Sequence, residues 1–380
     1  MQNSALATNN SPQYLATDTN ALYSPQPMGS SGIHKIVPET VTPSFEGLQC
    51  DVRQFVKVLL PNRSVNVVTS PLLVNTTEAI TARVLNEAGL NGSAIGSGQT
   101  RPNIKNTVGG IHIQSKKEHV DKTLEQLQIP HTTSVELIQQ KGYARATAEL
   151  NARIAEDTQG MITDFLDPRN LEDPALIFRL VTWLFQHVSW VEPFELMDDV
   201  DSSAMTWKNT THPEIQWMKS SYHNNSVTHT NSEGYDFVAV PVEETGMKAV
   251  LVLPPPEDPN HNSEDLNRVL SNGLSSILGK TKNEEAKLTL PKLKFDYQFT
   301  TAYPEAGVIG THNAALNINE KGADVAAASG MLAYECCYTP LKECLNFDFD
   351  RPFYLSIIDH QNDKEPRVAG MGWINQPWNS

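Results

Sequence analysis

Basic residues are scarce in this 380-residue chain: 29 Lys and Arg stand against 44 Asp and Glu, a formal net charge of −15. A surface of that sign repels nucleic acid and anionic lipid, and no basic cluster offsets it, so neither is an expected partner. Cysteine is scarce too. Cys50, Cys336, Cys337 and Cys344 are too few and too clustered for a disulfide framework, and they lack the two separated pairs of a zinc site. Long apolar runs are missing: the longest, such as Ala249–Pro255, have strand length, so no membrane span is expected. Met1–Ser11 is polar, without the basic and apolar regions of a signal peptide. Taken as the native start, it implies a cytoplasmic protein, with secretion the alternative if the native precursor begins elsewhere. The six Asn-x-Ser/Thr sequons, at Asn9, Asn62, Asn75, Asn91, Asn209 and Asn224, would matter only in that second case.

Catalytic signatures are absent as well. There is no Gly-x-Ser-x-Gly elbow, no His-Glu-x-x-His and no phosphate-cradling Gly-rich loop ending in Lys-Ser/Thr. His212, His223 and His229 lie in a polar stretch, and Asp198-Asp199-Val200-Asp201 is acidic. Both read more simply as solvated loops than as a metal site. No enzyme, cofactor or metal is expected.

What is present is a mixed pattern. Residues 1–40 are rich in Asn, Ser, Thr, Pro and Gln and read as a flexible polar extension; 41–380 read as one domain. Phe45, Leu48, Val52, Phe55 and Leu59 predict a helix stopped by Pro61, followed by a short strand at Val65–Thr69 and a helix from Ser70-Pro71. Asn91–Gly110 reads as loop, Lys116–Leu127 and Ala144–Asp157 as helices. The apolar run from Pro174 to Phe185 predicts a strand covered on both faces. Asp236–Val242 and Met247–Leu253 predict a hairpin, and Leu266–Leu278 a helix carrying Gly273 in its middle. Lys287–Tyr297, Asn313–Asn319 and Phe353–Ile358 read as strands. That order is neither a βαβ alternation nor a repeat. It predicts an α+β fold with large sheets and helices packed on them.

The informative stretch follows Asn313. Glu320-Lys321-Gly322 leads into Ala323-Asp324-Val325-Ala326-Ala327-Ala328-Ser329-Gly330, and then into Met331–Thr339. From Ala323 to Thr339 there is no Pro, Lys or Arg. Alternate residues of a strand face opposite sides. One side would carry Ala323, Val325, Ala327, Ser329, Met331 and Ala333, all small or apolar. Such a strand could enter the middle of a sheet without burying a charge on its inner face. A surface loop or an alanine-rich helix end is the other reading of the same residues.

The segment resembles the hinge and reactive-centre loop of the serpin family, and the resemblance runs through most of the chain from Phe45 onward. Asn66 to Pro71 looks like the family's lead-in to helix B. Asn151 with Thr158-Gln159-Gly160-Met161-Ile162 is similar to the helix F pattern. Leu180-Val181-Thr182 through Trp190 and Pro193-Phe194 resembles the central strand and its breach tryptophan. Leu290-Pro291-Lys292-Leu293 resembles strand 5A, and His312 stands where the family has its shutter histidine beside Ser70. Asp350-Arg351-Pro352-Phe353 and Gly370-Met371-Gly372 to Pro377 resemble the C-terminal strands.

The resemblance implies a serpin-like fold and a protease inhibitor that is a suicide substrate. A target protease, of serine or alternatively cysteine type, cuts the exposed loop. The loop then inserts as an extra strand and traps the acyl-enzyme. Kinetic rather than equilibrium stability holds the native form. The implied hinge is Glu320, Lys321, Gly322, Ala323, Val325, Ala326, Ala327 and Ala328, with Glu320 and Lys292 as an ion pair. The implied reactive bond is Cys336–Cys337, with Leu332, Tyr334, Glu335 and Tyr338 as alternatives. Departures from the family pattern are Leu73 and Thr182, which replace shutter Ser and Asn and deprive His312 of expected partners. A further departure is the near absence of helix D between Gly92 and Gly110, so heparin activation is not expected. The stretch Tyr297–His312 is too short for the family's helix and strand there. A monomer is expected. A non-inhibitory serpin-fold carrier, chaperone or storage protein is the alternative function.

Overall fold

Leu48, Val52, Phe55 and Leu59 recur every three or four residues, and in the computed structural model of the chain they line the buried side of helix α1 (Glu46–Leu59). Pro61 sits in the 3-10 turn Leu60–Asn62 that closes it. Strand β1 (Val67–Thr69) follows, then helix α2 (Pro71–Glu87), which starts on proline, whose missing N–H goes unneeded in the first turn. Next come β2 (Thr107–Ser115), β3 (Thr133–Leu137), helix α3 (Tyr143–Asp157), β4 (Phe178–Ser189), β5 (Glu195–Leu196) and the short helix α4 (Asp199–Ala204). Strands β6 (Trp217–Ser232), β7 (Tyr235–Val240) and β8 (Met247–Leu253) lead to helix α5 (Ser263–Leu278). The chain continues as β9 (Asn283–Pro291), β10 (Leu293–Tyr303), β11 (Val308–Ile318), β12 (Gly322–Asp324), β13 (Leu345–Asp348), β14 (Phe353–Asp359) and β15 (Arg367–Ile374).

The structure describes residues 44–87, 91–95, 107–115, 133–137, 142–167, 169, 178–256, 263–306, 308–324, 344–360 and 365–378. The expected extension 1–40, the helix expected over Lys116–Leu127 and the segment 325–343 lie outside them.

Two sheets organise the molecule. The first runs β1-β15-β14-β8-β7-β6-β9-β13, with β5 on β6; the second runs β10-β11-β12-β4-β2-β3. The parity of β7 explains the layering. Phe237 and Ala239 join Val250, Val252 and the apolar faces of α1 and α5, whereas Val238 and Val240 join Val188, Leu316, Ile318 and Ala323 between the sheets. Helix α3 covers the far face of the second sheet, with Leu150 and Ile154 on Val181, Trp183 and Ala315. The strand read as covered on both faces, β4, is therefore an interior strand. Gly273 sits mid-helix for a packing reason: a Cβ there would fall 2.0 Å from the Phe237 ring.

Two expectations need correction. Thr107–Gly110, read as loop, opens β2, because its backbone pairs with Gln186 through Trp183 of β4 despite two glycines. Lys287–Tyr297 is not one strand. Trp217 pairs with Pro291 in the first sheet and Leu293 with Ile318 in the second, so the chain changes sheets at Lys292. The short span between Tyr297 and His312 is filled by β10 and β11 themselves, joined by the 3-10 turn Pro304–Ala306.

One buried ion pair locks the first sheet to its helices. Arg367 donates from Nε and Nη2 to Asp51 at 2.9 Å each, and Asp51 also accepts from Val368 N–H (2.9 Å) and Asn75 Nδ2 (2.8 Å). Four donors on one carboxylate satisfy a charge that no solvent reaches.

Candidate functional site

The residues that follow β11 form a tight reversal. Asn319 N–H donates to Gly322 O (3.0 Å), and Asn319 Oδ1 accepts from Lys321 N–H (2.9 Å), the side-chain turn chemistry for which Asn is suited. The chain returns as β12, antiparallel both to β11 (Asn317↔Asp324, Ile318↔Ala323) and to β4 (Gly322↔Ser189, Ala323↔Val188, Asp324↔His187). Gly322 is required there: a Cβ would lie 2.2 Å from Val188 O. Ala323 is fully buried in the core between the sheets.

The turn is held by its carbonyls, one after another. Asn319 O accepts from Trp190 Nε1–H (3.1 Å), Glu320 O from Phe194 N–H (2.7 Å) and Lys321 O from Trp190 N–H (2.9 Å). The Trp190 and Phe194 rings meet edge to face at 5.7 Å, which fixes the donors in place. Glu320 and Lys292 are brought together, Nζ to Oε1 at 2.8 Å. Partial burial pushes the Glu320 carboxyl up, but the Lys292 hydrogen bond, a backbone hydrogen bond and the charges of Lys292 and Lys321 outweigh it and leave it below its ordinary value.

Beyond Asp324, toward the N-terminal end of β4, the described residues of the second sheet are split. Among the described residues β4 and β11 pair with β12 and not with each other. The split borders a small, partly open cavity of about 50 Å³, lined by Phe185 and Gln186 of β4 and by His312, Asn313, Ala314 and Ala315 of β11. Consecutive residues face opposite sides of a strand, so four in a row lining one space means that it passes between the strands. Ser70 and Leu73 of the α2 start, and Thr158 and Ile162 beyond α3, also border it. Ser70 Oγ donates to Ala369 O (2.5 Å) and accepts from Leu73 N–H (3.3 Å). Burial pushes the His312 imidazole down to about 4, so it is neutral near pH 7, and its ring stacks on Phe299 at 4.7 Å.

The sequence-derived positions therefore sort cleanly. Trp190, Lys292, Glu320, Lys321, Gly322 and Ala323 converge at the turn, and Ser70 and His312 border the split. Val325, Ala326, Ala327 and Ala328, and the reactive-bond candidates Leu332, Tyr334, Glu335, Cys336, Cys337 and Tyr338, lie outside the described residues, as does the Thr182 side chain. Asn319, Phe194 and Asn313 were missed as site residues. Asn two residues before Lys321-Gly322 was the one readable signal, as a turn former. His212 pairs with Glu214 (3.0 Å) and stacks on Trp378, His229 pairs with Asp236 (3.0 Å), and Asp198 caps α4. Among the described residues no three metal-ligating groups converge.

Comparison with known proteins bears on this geometry. The family model described as Serpin (serine protease inhibitor) matches residues 96–303, just over half of the chain. Alpha-1-antiproteinase F of Cavia porcellus is 24% identical over 246 residues, covering 57% of this chain and 57% of that protein. Serine protease inhibitor 2 of Anopheles gambiae is 26% identical over 206 residues, covering 51% and 48%. The chain thus spans about half the length of these curated relatives. Among solved structures, thyroxine-binding globulin in complex with thyroxine superposes with a TM-score of 0.64 at 15% identity, covering 88% of this chain and 99% of that one. Serpin48 of the insect Tenebrio molitor gives 0.58 at 16% identity, covering 87% and 96%. At such identities these likenesses speak for the fold. With the family model matching more than half of the residues, the chain is a member of the serpin family.

Proposed function

We propose that the chain is a protease inhibitor that works as a suicide substrate, by loop cleavage and insertion of the loop between β4 and β11. The observation that carries this reading is β12: three residues seated between two strands that, among the described residues, do not pair with each other.

The register supports it in detail. Insertion in the register of β12 would set Val325 between Gln186 and Leu316, Ala326 between Phe185 and Ala315, and Ala328 between Trp183 and Asn313. The first residues of β4 and β11, Phe178 and Val308, both fall opposite Ala333. The inner face of the incoming strand is Ala323, Val325, Ala327, Ser329, Met331 and Ala333, which brings no charge into the core. Some ten new strand residues, at about 1 kcal/mol per hydrogen bond, amount to a driving force on the order of 10 kcal/mol. A slot that ends at Ala333 also bears on the cut. A bond at Leu332 would leave the last slot position unfilled, whereas Cys336–Cys337, or one beside Tyr334, Glu335 or Tyr338, leaves the cut end beyond the sheet.

The partner in this reading is a serine or cysteine protease, met by a monomer in the cytoplasm. The protein contributes no catalytic group. The test is incubation with chymotrypsin-like and elastase-like enzymes, followed by denaturing electrophoresis and mass spectrometry. An SDS-stable adduct at one loop bond, and a large gain in melting temperature after nicking, are expected. Nicking with neither result would leave the second reading, a non-inhibitory carrier. That reading is favoured by the structural likeness to thyroxine-binding globulin, a protein solved with thyroxine bound.

A further inference from the structure

Three of the four large hydrophobic side chains that stand exposed among the described residues, Val191, Leu196 and Val200, fall within the ten residues after Trp190. Scattered singly, such residues need no explanation; gathered on one rim they point to a contact surface. Strand β5 and helix α4 form that rim, where Leu196 is 49% and Val200 78% exposed. Its place in the fold says what would cover it. Glu195 pairs with Lys219 of β6, Lys219 with Thr289 of β9, and Thr289 with Asp348 of β13. At about 4.8 Å between neighbouring strands, that row is about 14 Å long. β13 is the strand that follows the segment 325–343, and Phe194, next to Glu195, donates its N–H to Glu320 O in the turn that precedes it. A protease domain of roughly 240 residues has a radius of gyration of about 18 Å, so one that closes on that segment overlaps the rim.

The rim is acidic. Asp201 hydrogen-bonds Lys219 at 2.8 Å, and that bond, with the charges of Asp201, Asp198 and Glu195, holds the Lys219 ammonium above its ordinary value. One cation thus answers several carboxylates: Glu195, Asp198, Asp199 and Asp201 on the rim and Asp348 at the end of the row. Exposed Lys287, two residues along β9 from Thr289, is the next positive charge. Acids in the first turn of α4 suit its dipole, and Asp198 accepts from Asp201 N–H at 2.8 Å. That does not account for Glu195, Asp348 or the exposed valine and leucine. We propose that the β5–α4 rim docks the target protease, taking a basic face with an apolar centre beside that enzyme's cleft. The identity of the partner rests on the inhibitor reading above. A chain of net charge −15 attracts such an enzyme from a distance, and rim charges act mainly on the rate of encounter.

The probe is α-chymotrypsin, a cationic enzyme, with its active serine sulfonylated so that it cannot cut, titrated against the full chain. Saturable binding is expected, weakened about tenfold between roughly 50 and 300 mM salt and lost when the lysines of the enzyme are succinylated. Glu195→Gln with Asp199→Asn should weaken it about fivefold, and Val200→Ser about threefold. Glu156→Gln with Glu305→Gln, the same charge change at two exposed sites elsewhere, should leave it unchanged. Equal losses in the two pairs, or no saturable binding, overturn the proposal. Hydrogen exchange needs no variant: residues 191–204 of the wild type should exchange more slowly in the complex, and an unchanged rate there overturns the proposal even where a variant fails to fold. The active enzyme separates this from the inhibitor reading. An SDS-stable adduct that forms more slowly with the rim pair, at unchanged stoichiometry, supports both; an adduct formed just as fast keeps the inhibitor and overturns the docking. Nicking without adduct or heat resistance, with 191–204 still protected by the blocked enzyme, ends the inhibitor reading and leaves the rim as a docking surface for a basic protein.

Discussion

Lys292 Nζ lies 2.8 Å from Glu320 Oε1, joining the residue where the chain crosses between sheets to the residue that opens the turn into β12. The pair is a third to a quarter exposed, at 34% and 25%. Its net contribution is expected below about 1 kcal/mol and salt-sensitive. Lys292→Met should therefore lower the urea midpoint only slightly at low salt and not at all at high salt. Glu320 has a lowered folded-state value, so its contribution is present above the ordinary carboxylate range and is lost as pH falls through that folded value. A wild-type-minus-variant difference that persists at high salt would contradict this account.

His312 makes stability depend on pH in the same direction but over a higher range. Its folded value is about 4 against an ordinary 6.5, so the unfolded chain binds the proton that the folded chain refuses. Stability from this group is complete above pH 6.5 and declines as pH falls toward 4. Between pH 7 and 5 the loss comes to about 2 kcal/mol. His312→Gln, measured by denaturant titration at both pH values, should flatten that interval. An unchanged slope would show that other groups carry it.

Asp51 and Arg367 offer a larger effect. Asp51→Ala leaves a buried guanidinium unpaired and strips Val368 N–H and Asn75 of their acceptor, so a loss of about 3–5 kcal/mol is expected. Pairing it with Arg367→Leu should restore much of that, because the uncompensated charge is gone. A double variant no better than Asp51→Ala would be the contrary result.

Gly322→Ala tests the seating of β12. Its Cβ meets Val188 O at 2.2 Å, a backbone atom that cannot rotate away. Because β12 is already seated in the uncut protein, the variant should lower the native melting temperature by several degrees, read by differential scanning calorimetry. An unchanged melting temperature would mean that β12 does not pass Val188 this closely.

Much of this fold was legible before any coordinates. The 3.6-residue spacing of Leu48, Val52, Phe55 and Leu59 carries helix α1 by itself, and Glu243-Glu244-Thr245-Gly246 between two apolar runs carries the β7–β8 hairpin. Local signals failed where pairing overrode them. Gly109 and Gly110 suggest a loop, yet β4 supplies a pairing partner for each of them. Gly273 argues against a helix until Phe237 is seen to occupy the place of its side chain. Lys292 gives no hint that two sheets meet at it, since a change of sheet leaves the period of two intact.

What the sequence determined by itself was composition of faces: a stretch after Gly322 free of proline and of basic residues, with small residues at alternate positions, fit to become an inner strand. Only the tertiary structure decided that its first residues lie between β4 and β11. The opening depends on β4 and β11 standing apart, on Trp190 and Phe194 capturing three successive carbonyls, and on His312 losing water. Those are relations between segments more than a hundred residues apart, set by packing, and neither periodicity nor propensity encodes them.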